Sequence, residues 1–133
     1  GRCNHERDVE GDDRFDPNQD QNGARQIQPG NYEGLILHGN ESDWYRLEVC
    51  AGGLLTVSIN HPFDGGDIDL QVWVVNEGRV IHSQGLCTGV EGGSYRNMAD
   101  EPKDAVIGVY PFGPPGRRAG DNTYTMRVSV DCP

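Results

Sequence analysis

Apolar residues in this chain recur at every second position, in runs too short for anything but strands. Tyr45, Leu47 and Val49 alternate with Trp44, Arg46 and Glu48; Leu55, Val57 and Ile59 alternate with Thr56 and Ser58. The same pattern runs through Ile68, Leu70, Val72 and Val74, through Ala105, Ile107 and Val109, and through Tyr124, Met126, Val128 and Val130. A period of two places one set of side chains on one face of a strand and the other set on the opposite face. No segment carries a helical period of useful length. Between the runs lie turn sequences, among them Gln28-Pro29-Gly30-Asn31, Cys50-Ala51-Gly52-Gly53 and Asn76-Glu77-Gly78. Half-buried strands need a second layer to cover their apolar face. The expected fold is therefore all-β, an antiparallel β-sandwich of jelly-roll type with about eight strands.

A chain of 133 residues is one domain, with a modest core. Residues 1–12 read as a polar N-terminal segment or linker, and residues 13–133 as the sandwich. A weak strand is expected near Ala24–Ile27 and further strands at Tyr32–Leu37, Arg79–Ser83 and Ser94–Met98, while 84–93 reads as a Gly-rich excursion. Trp44, Trp73, Arg46 and Arg127 fall on outward positions of this register.

The net charge of −10 repels a phosphate backbone and so argues against nucleic acid as a partner. No apolar run is long enough to span a membrane. Four cysteines, Cys3, Cys50, Cys87 and Cys132, stand far apart with no zinc-ribbon spacing. An even, scattered set points to two disulfides and an oxidising compartment. Three pairings are open. The usual nearness of chain termini favours Cys3–Cys132, which leaves Cys50–Cys87.

Two acidic stretches carry candidate chemistry. Asp16-Pro17-Asn18-Gln19-Asp20-Gln21-Asn22-Gly23 is an oxygen-rich loop, and Glu41-Ser42-Asp43 runs straight into the strand that begins at Trp44. Asp16, Asn18, Asp20, Asn22, Glu41 and Asp43 supply enough oxygens for a calcium ion if the two stretches meet. The loop is not an EF-hand, because Pro29 stands where the bidentate Glu is needed. A second cluster, Asp64, Asp67 and Asp69, reads chiefly as a solvated loop beside a polar strand face, with a further metal site as the lesser reading.

The order of motifs resembles the bacterial pre-peptidase C-terminal domain, related to the collagen-binding domains of secreted proteases. An Asp-Pro-Asn loop at 16–18 comes first, then Asp43-Trp44-Tyr45 and Ala51-Gly52-Gly53. Gly66-Asp67-Ile68-Asp69-Leu70, Ile107-Gly108-Val109-Tyr110 and Tyr124-Thr125-Met126-Arg127-Val128 follow. The resemblance covers about Asp13 to Val130. It implies a secreted or cell-surface module without catalytic activity, attached to a larger enzyme or surface protein. It also implies calcium where the loop meets the Asp-Trp-Tyr strand, with Asp16 at the family's Glu position, Asn18 at its Asn and Asp43 at its strand-start Asp. Glu41 stands near a second acidic position, Gln19 replaces the motif's last Asp, and Asp20 follows it.

No catalytic constellation competes with this reading. His5, His38, His61 and His82 are scattered, and neither an H-E-x-x-H nor a G-x-S-x-G motif occurs. Two binding alternatives accompany the accessory-module reading. One is a carbohydrate-binding module, with Trp44 and Trp73 as the stacking platform. The other is a self-assembling extracellular subunit that uses exposed strand edges. Expected partners are a parent protein, an extracellular matrix protein or polysaccharide, or further copies of the chain.

Overall fold

The computed structural model describes residues 8–62, 65–84, 89–111 and 120–133. These form nine strands: β1 (Arg25–Gln26), β2 (Gly30–Leu37), β3 (Asp43–Val49), β4 (Leu54–Asn60), β5 (Ile68–Val74), β6 (Gly78–Ser83), β7 (Val90–Arg96), β8 (Lys103–Pro111) and β9 (Asn122–Asp131). One sheet has the order β1-β3-β8-β5-β6, the other β2-β9-β4-β7. All pairs are antiparallel except β1 with β3. The period-two runs supply the core. Tyr45, Leu47 and Val49 face Leu55, Val57, Ile59, Met126 and Val128 across one buried cluster, with Leu70, Val72, Ile107 and Val109 completing it. The architecture is the expected β-sandwich.

Strand β7 starts earlier than its sequence signalled. Val90 to Gly93 belong to it, although this stretch reads as an excursion. Gly93 packs so closely that a Cβ there would lie 2.8 Å from Ile81 Cγ2, and one on Gly92 would lie 2.9 Å from the Val57 carbonyl. The glycines that argue against a strand are what allow this edge strand to approach its neighbours.

The disulfide pairing differs from expectation. Cys50 is bonded to Cys132, which rules out both Cys3–Cys132 and Cys50–Cys87. Cys3 and Cys87 lie outside the described residues. The physical reason is strand order. β9 lies beside β4, with Asp131 opposite Leu54. Cys50 sits one tight turn before β4, so the end of β9 delivers Cys132 to it. Gly53 closes that turn, and a Cβ there would meet Cys50 Sγ at 2.4 Å.

Trp44 occupies the outward position its register predicts, opposite Gly108 on β8. It is nevertheless only 7% exposed. Its ring lies flat over Gly108, where an added Cβ would come within 2.6 Å of the indole. Gly108→Ala is expected to displace Trp44 and cost about 1–3 kcal/mol, the usual penalty of overpacking, read as a lower urea midpoint at unchanged m-value.

Candidate functional site

The N-terminal loop is held against the sandwich by side chains that the sequence did not mark for that task. Phe15 packs edge-on against Tyr45 and Tyr32, with ring centroids 5.4 and 5.7 Å apart. Asp13 accepts hydrogen bonds from the Phe15 amide and from the Ile36 amide of β2. Asp16 accepts one from the Asp13 amide. Farther up the chain, the Val9 amide donates to Asp121, whose other oxygen accepts from the Gly39 amide. His38 lies between Asp121 and the Gly11 carbonyl.

This anchoring brings Asn18 onto the start of β3. The Trp44 amide donates to the Asn18 carbonyl at 2.7 Å, and Asn18 Nδ2 donates back to the Trp44 carbonyl at 3.1 Å. Asn18 is fully buried, and its Oδ1 has no hydrogen-bond partner. An unpartnered buried acceptor loses its hydration without compensation, typically about 1–3 kcal/mol.

Asp43 alternates with Tyr45 and therefore points into the sandwich, where it is 2% exposed. Its Oδ2 accepts from the Tyr124 hydroxyl at 2.7 Å, and the Tyr124 hydroxyl oxygen in turn lies 2.5 Å from the Tyr45 hydroxyl. Burial pushes the Asp43 carboxyl up to about 8. The Tyr124 hydrogen bond opposes the shift, whereas the negative charges of Asp13, Asp16 and Glu41 add to it. Burial likewise raises both tyrosines above their ordinary value. Asp16, half-buried, is raised by burial and by Asp13, Asp12 and Glu41.

The two acidic stretches thus meet as the sequence required, though not all of the expected ligands converge. Asn18 and Asp43 are buried at the junction, and Asp16 and Glu41 are in electrostatic contact with Asp43. Asp20 is turned away, exposed, and caps the Gly23 amide at 2.6 Å. Among the described residues, no three Asp, Glu, His or Cys side chains form a ready-made metal cage. None of Asp16, Glu41 or Asp43 forms an ion pair among them. Sequence reasoning missed Asp13, Tyr124 and Asp121. Tyr124 looked like an ordinary core residue, and only the neighbouring of β2, β9 and β3 across the two sheets gives it a carboxylate to bond.

The second expected platform residue, Trp73, is half-buried on the outer face of its sheet. Its Nε1 donates to Gln71 Oε1 at 2.9 Å, and the Arg79 guanidinium lies 5.9 Å from its ring centroid.

The frame and site together define a two-sheet extended-strand module with a buried acidic junction. No family model and no curated protein matches the chain. Solved structures do. The chain is similar to the pre-peptidase C-terminal domain of a collagenase from Bacillus anthracis, at 16% identity and a TM-score of 0.58, covering 80% of this chain and 94% of that one. It is also similar to PliG from Aeromonas hydrophila, a periplasmic inhibitor of g-type lysozyme, at 18% identity and a TM-score of 0.57, covering 81% and 96%. The chain has the fold of the pre-peptidase C-terminal domain.

Proposed function

We propose that this chain is a non-catalytic accessory module of a secreted or cell-surface protein, with a structural calcium ion at the junction of its N-terminal loop and β3. The observation that carries the metal is the pairing of two buried oxygen donors. Asn18 Oδ1 has no hydrogen-bond partner, and the Asp43 carboxylate is surrounded by further acids. A hard cation satisfies the amide oxygen and cancels the repulsion that burial intensifies. Asn18 and Asp43 are the inner donors in this reading, with Asp16 and Glu41 contributing charge and the remaining donors coming from backbone carbonyls and water. Asp20 has no part in it.

The compartment and the lack of catalysis draw support from the Cys50–Cys132 disulfide and from the two structural neighbours. One of these is a domain of a collagenase and the other an inhibitor of an enzyme. Calcium here orders the N-terminal loop rather than performing chemistry.

The test is a pair of thermal melts, in millimolar calcium and in excess chelator, on the wild-type chain and on Asp43→Asn. At free calcium a hundredfold above Kd, the wild type gains about 2.7 kcal/mol. Asp43→Asn is expected to lose most of that gain. Equal wild-type midpoints in calcium and chelator would overturn the metal assignment.

A further inference from the structure

The motif Gly66-Asp67-Ile68-Asp69-Leu70 is not used by the junction site, yet its Asp69 is a buried acid. Asp69 is 1% exposed, and neither carboxylate oxygen has a hydrogen-bond partner. The expectation of a solvated loop at this position therefore fails for Asp67 and Asp69, which are both buried. Asp69 stands opposite Tyr110 in the β5–β8 register, on the face of the sheet away from Leu70 and the core. The Tyr110 hydroxyl is already engaged by Gln84 and His82.

Asp67, two residues earlier, is 1% exposed and lies 3.7 Å from His61 Nε2. Glu91 approaches from β7 of the other sheet, is 2% exposed, and accepts a hydrogen bond from Ser83 Oγ. Three carboxylates are therefore buried in one neighbourhood. Burial, then Asp67, then Glu91 push the Asp69 carboxyl up to about 7.

An ionised carboxylate removed from water with nothing to bind is costly, and there are two ways out. It takes up a proton, or it gains a cation. The two differ in what the neighbours do. A lone buried acid settles by protonation, whereas several acids held together repel one another less once a divalent ion stands among them.

We propose that Asp69 and Asp67 hold a second hard divalent cation, of which calcium is the representative, with Glu91 adding negative charge from the facing sheet. The Asp-x-Asp spacing at the entry to a strand supplies two carboxylates from one rigid stretch of backbone. Backbone carbonyls and water complete the six to eight oxygens such an ion takes. The site would fix the entry to β5, where Asp67 precedes the strand and Asp69 lies within it.

The experiment counts calcium ions on the intact chain by native mass spectrometry and titrates them by calorimetry. The proteins compared are the wild type, Asp69→Asn, Asp67→Asn and Asp43→Asn. Two ions are expected on the wild type and one on Asp69→Asn. Asp67→Asn is expected to weaken one of the two by tenfold or more. Asp69→Asn is nearly isosteric and removes a buried charge, so in chelator it should melt no lower than the wild type, which separates lost binding from lost folding.

A single wild-type ion removed by Asp43→Asn and untouched by Asp69→Asn overturns this site and leaves the junction reading standing. A single ion removed only by Asp69→Asn supports this site and sinks the other. Unchanged stoichiometry and affinity in both Asp69→Asn and Asp67→Asn also overturn the proposal, and so does a wild type that binds no calcium.

Discussion

Replacing Cys50 and Cys132 together by serine is expected to lower the stability of the chain by about 4–5 kcal/mol, the chain-entropy value for cross-linking so long a loop. The bond joins residues 82 apart in sequence and closes most of the sandwich, from the end of β3 to the end of β9. Without it, the last strand is held by its pairing with β2 and β4, by the core packing of Met126 and Val128, and by the Tyr124–Asp43 hydrogen bond. For a domain of this size the loss corresponds to a drop in Tm of roughly 10–20 °C. Denaturant melts of the double-serine variant measure it, with non-reducing peptide mapping of the wild type as the companion experiment. A loss below about 1 kcal/mol would show that noncovalent packing holds the C-terminus without the cross-link, and a peptide map without the Cys50–Cys132 link would contradict the structure directly.

In chelator, the stability of the wild-type chain is expected to fall as the pH rises from about 4 to about 8, with Asp43 as the chief cause. The sign follows from proton binding. Asp43 titrates near 3.8 in an ordinary environment and near 8 in the folded protein. Between those values the folded state holds a proton that the unfolded state has lost, so raising the pH favours unfolding. The contribution is complete below about pH 4, declines by about 1.4 kcal/mol per pH unit, and is spent once the folded carboxyl ionises. The total is on the order of 5 kcal/mol.

Asp69, raised to about 7 by burial and its acidic neighbours, adds to the same slope. Asp43→Asn isolates the first term, since its amide oxygen still accepts from Tyr124 and carries no titrating proton. Urea melts across this pH range should therefore show a steep wild-type slope and a much shallower one in Asp43→Asn. Calcium should flatten the wild-type slope too, because a bound cation replaces the proton. Parallel slopes in the two proteins would remove Asp43 as the source.

The core was legible in the sequence because burial in a sandwich imposes a period of two. Leu55, Val57 and Ile59, or Tyr124, Met126 and Val128, announce their inward face without any structure. The edge strand was not legible. Val90-Glu91-Gly92-Gly93 lacks the alternation, since its glycines are selected by close approach to Ile81 and Val57 rather than by propensity.

The candidate site was half legible. Acids placed before a core strand marked Asp43, and an Asx-rich loop marked Asn18. Nothing local separates Asn18, which is buried against Trp44, from Asp20, which caps its own turn. Asp67 and Asp69 looked solvated because a strand's outward face is usually wet, and only the packing of the folded chain buries them.

Periodicity and residue chemistry along a few consecutive positions are enough to set the class of fold, the inward set of each strong strand and the position of the acidic stretches. Packing of the folded chain sets which cysteines meet, which of Asn18 and Asp20, two residues apart, is buried, and whether an outward tryptophan is open or covered. Those outcomes depend on strand order across two sheets. β9 beside β4 sets the disulfide, Gly108 beneath Trp44 covers the indole, and Tyr124 from the facing sheet reaches Asp43. No local pattern encodes such neighbours, since the residues involved are from about 60 to more than 80 positions apart in the chain.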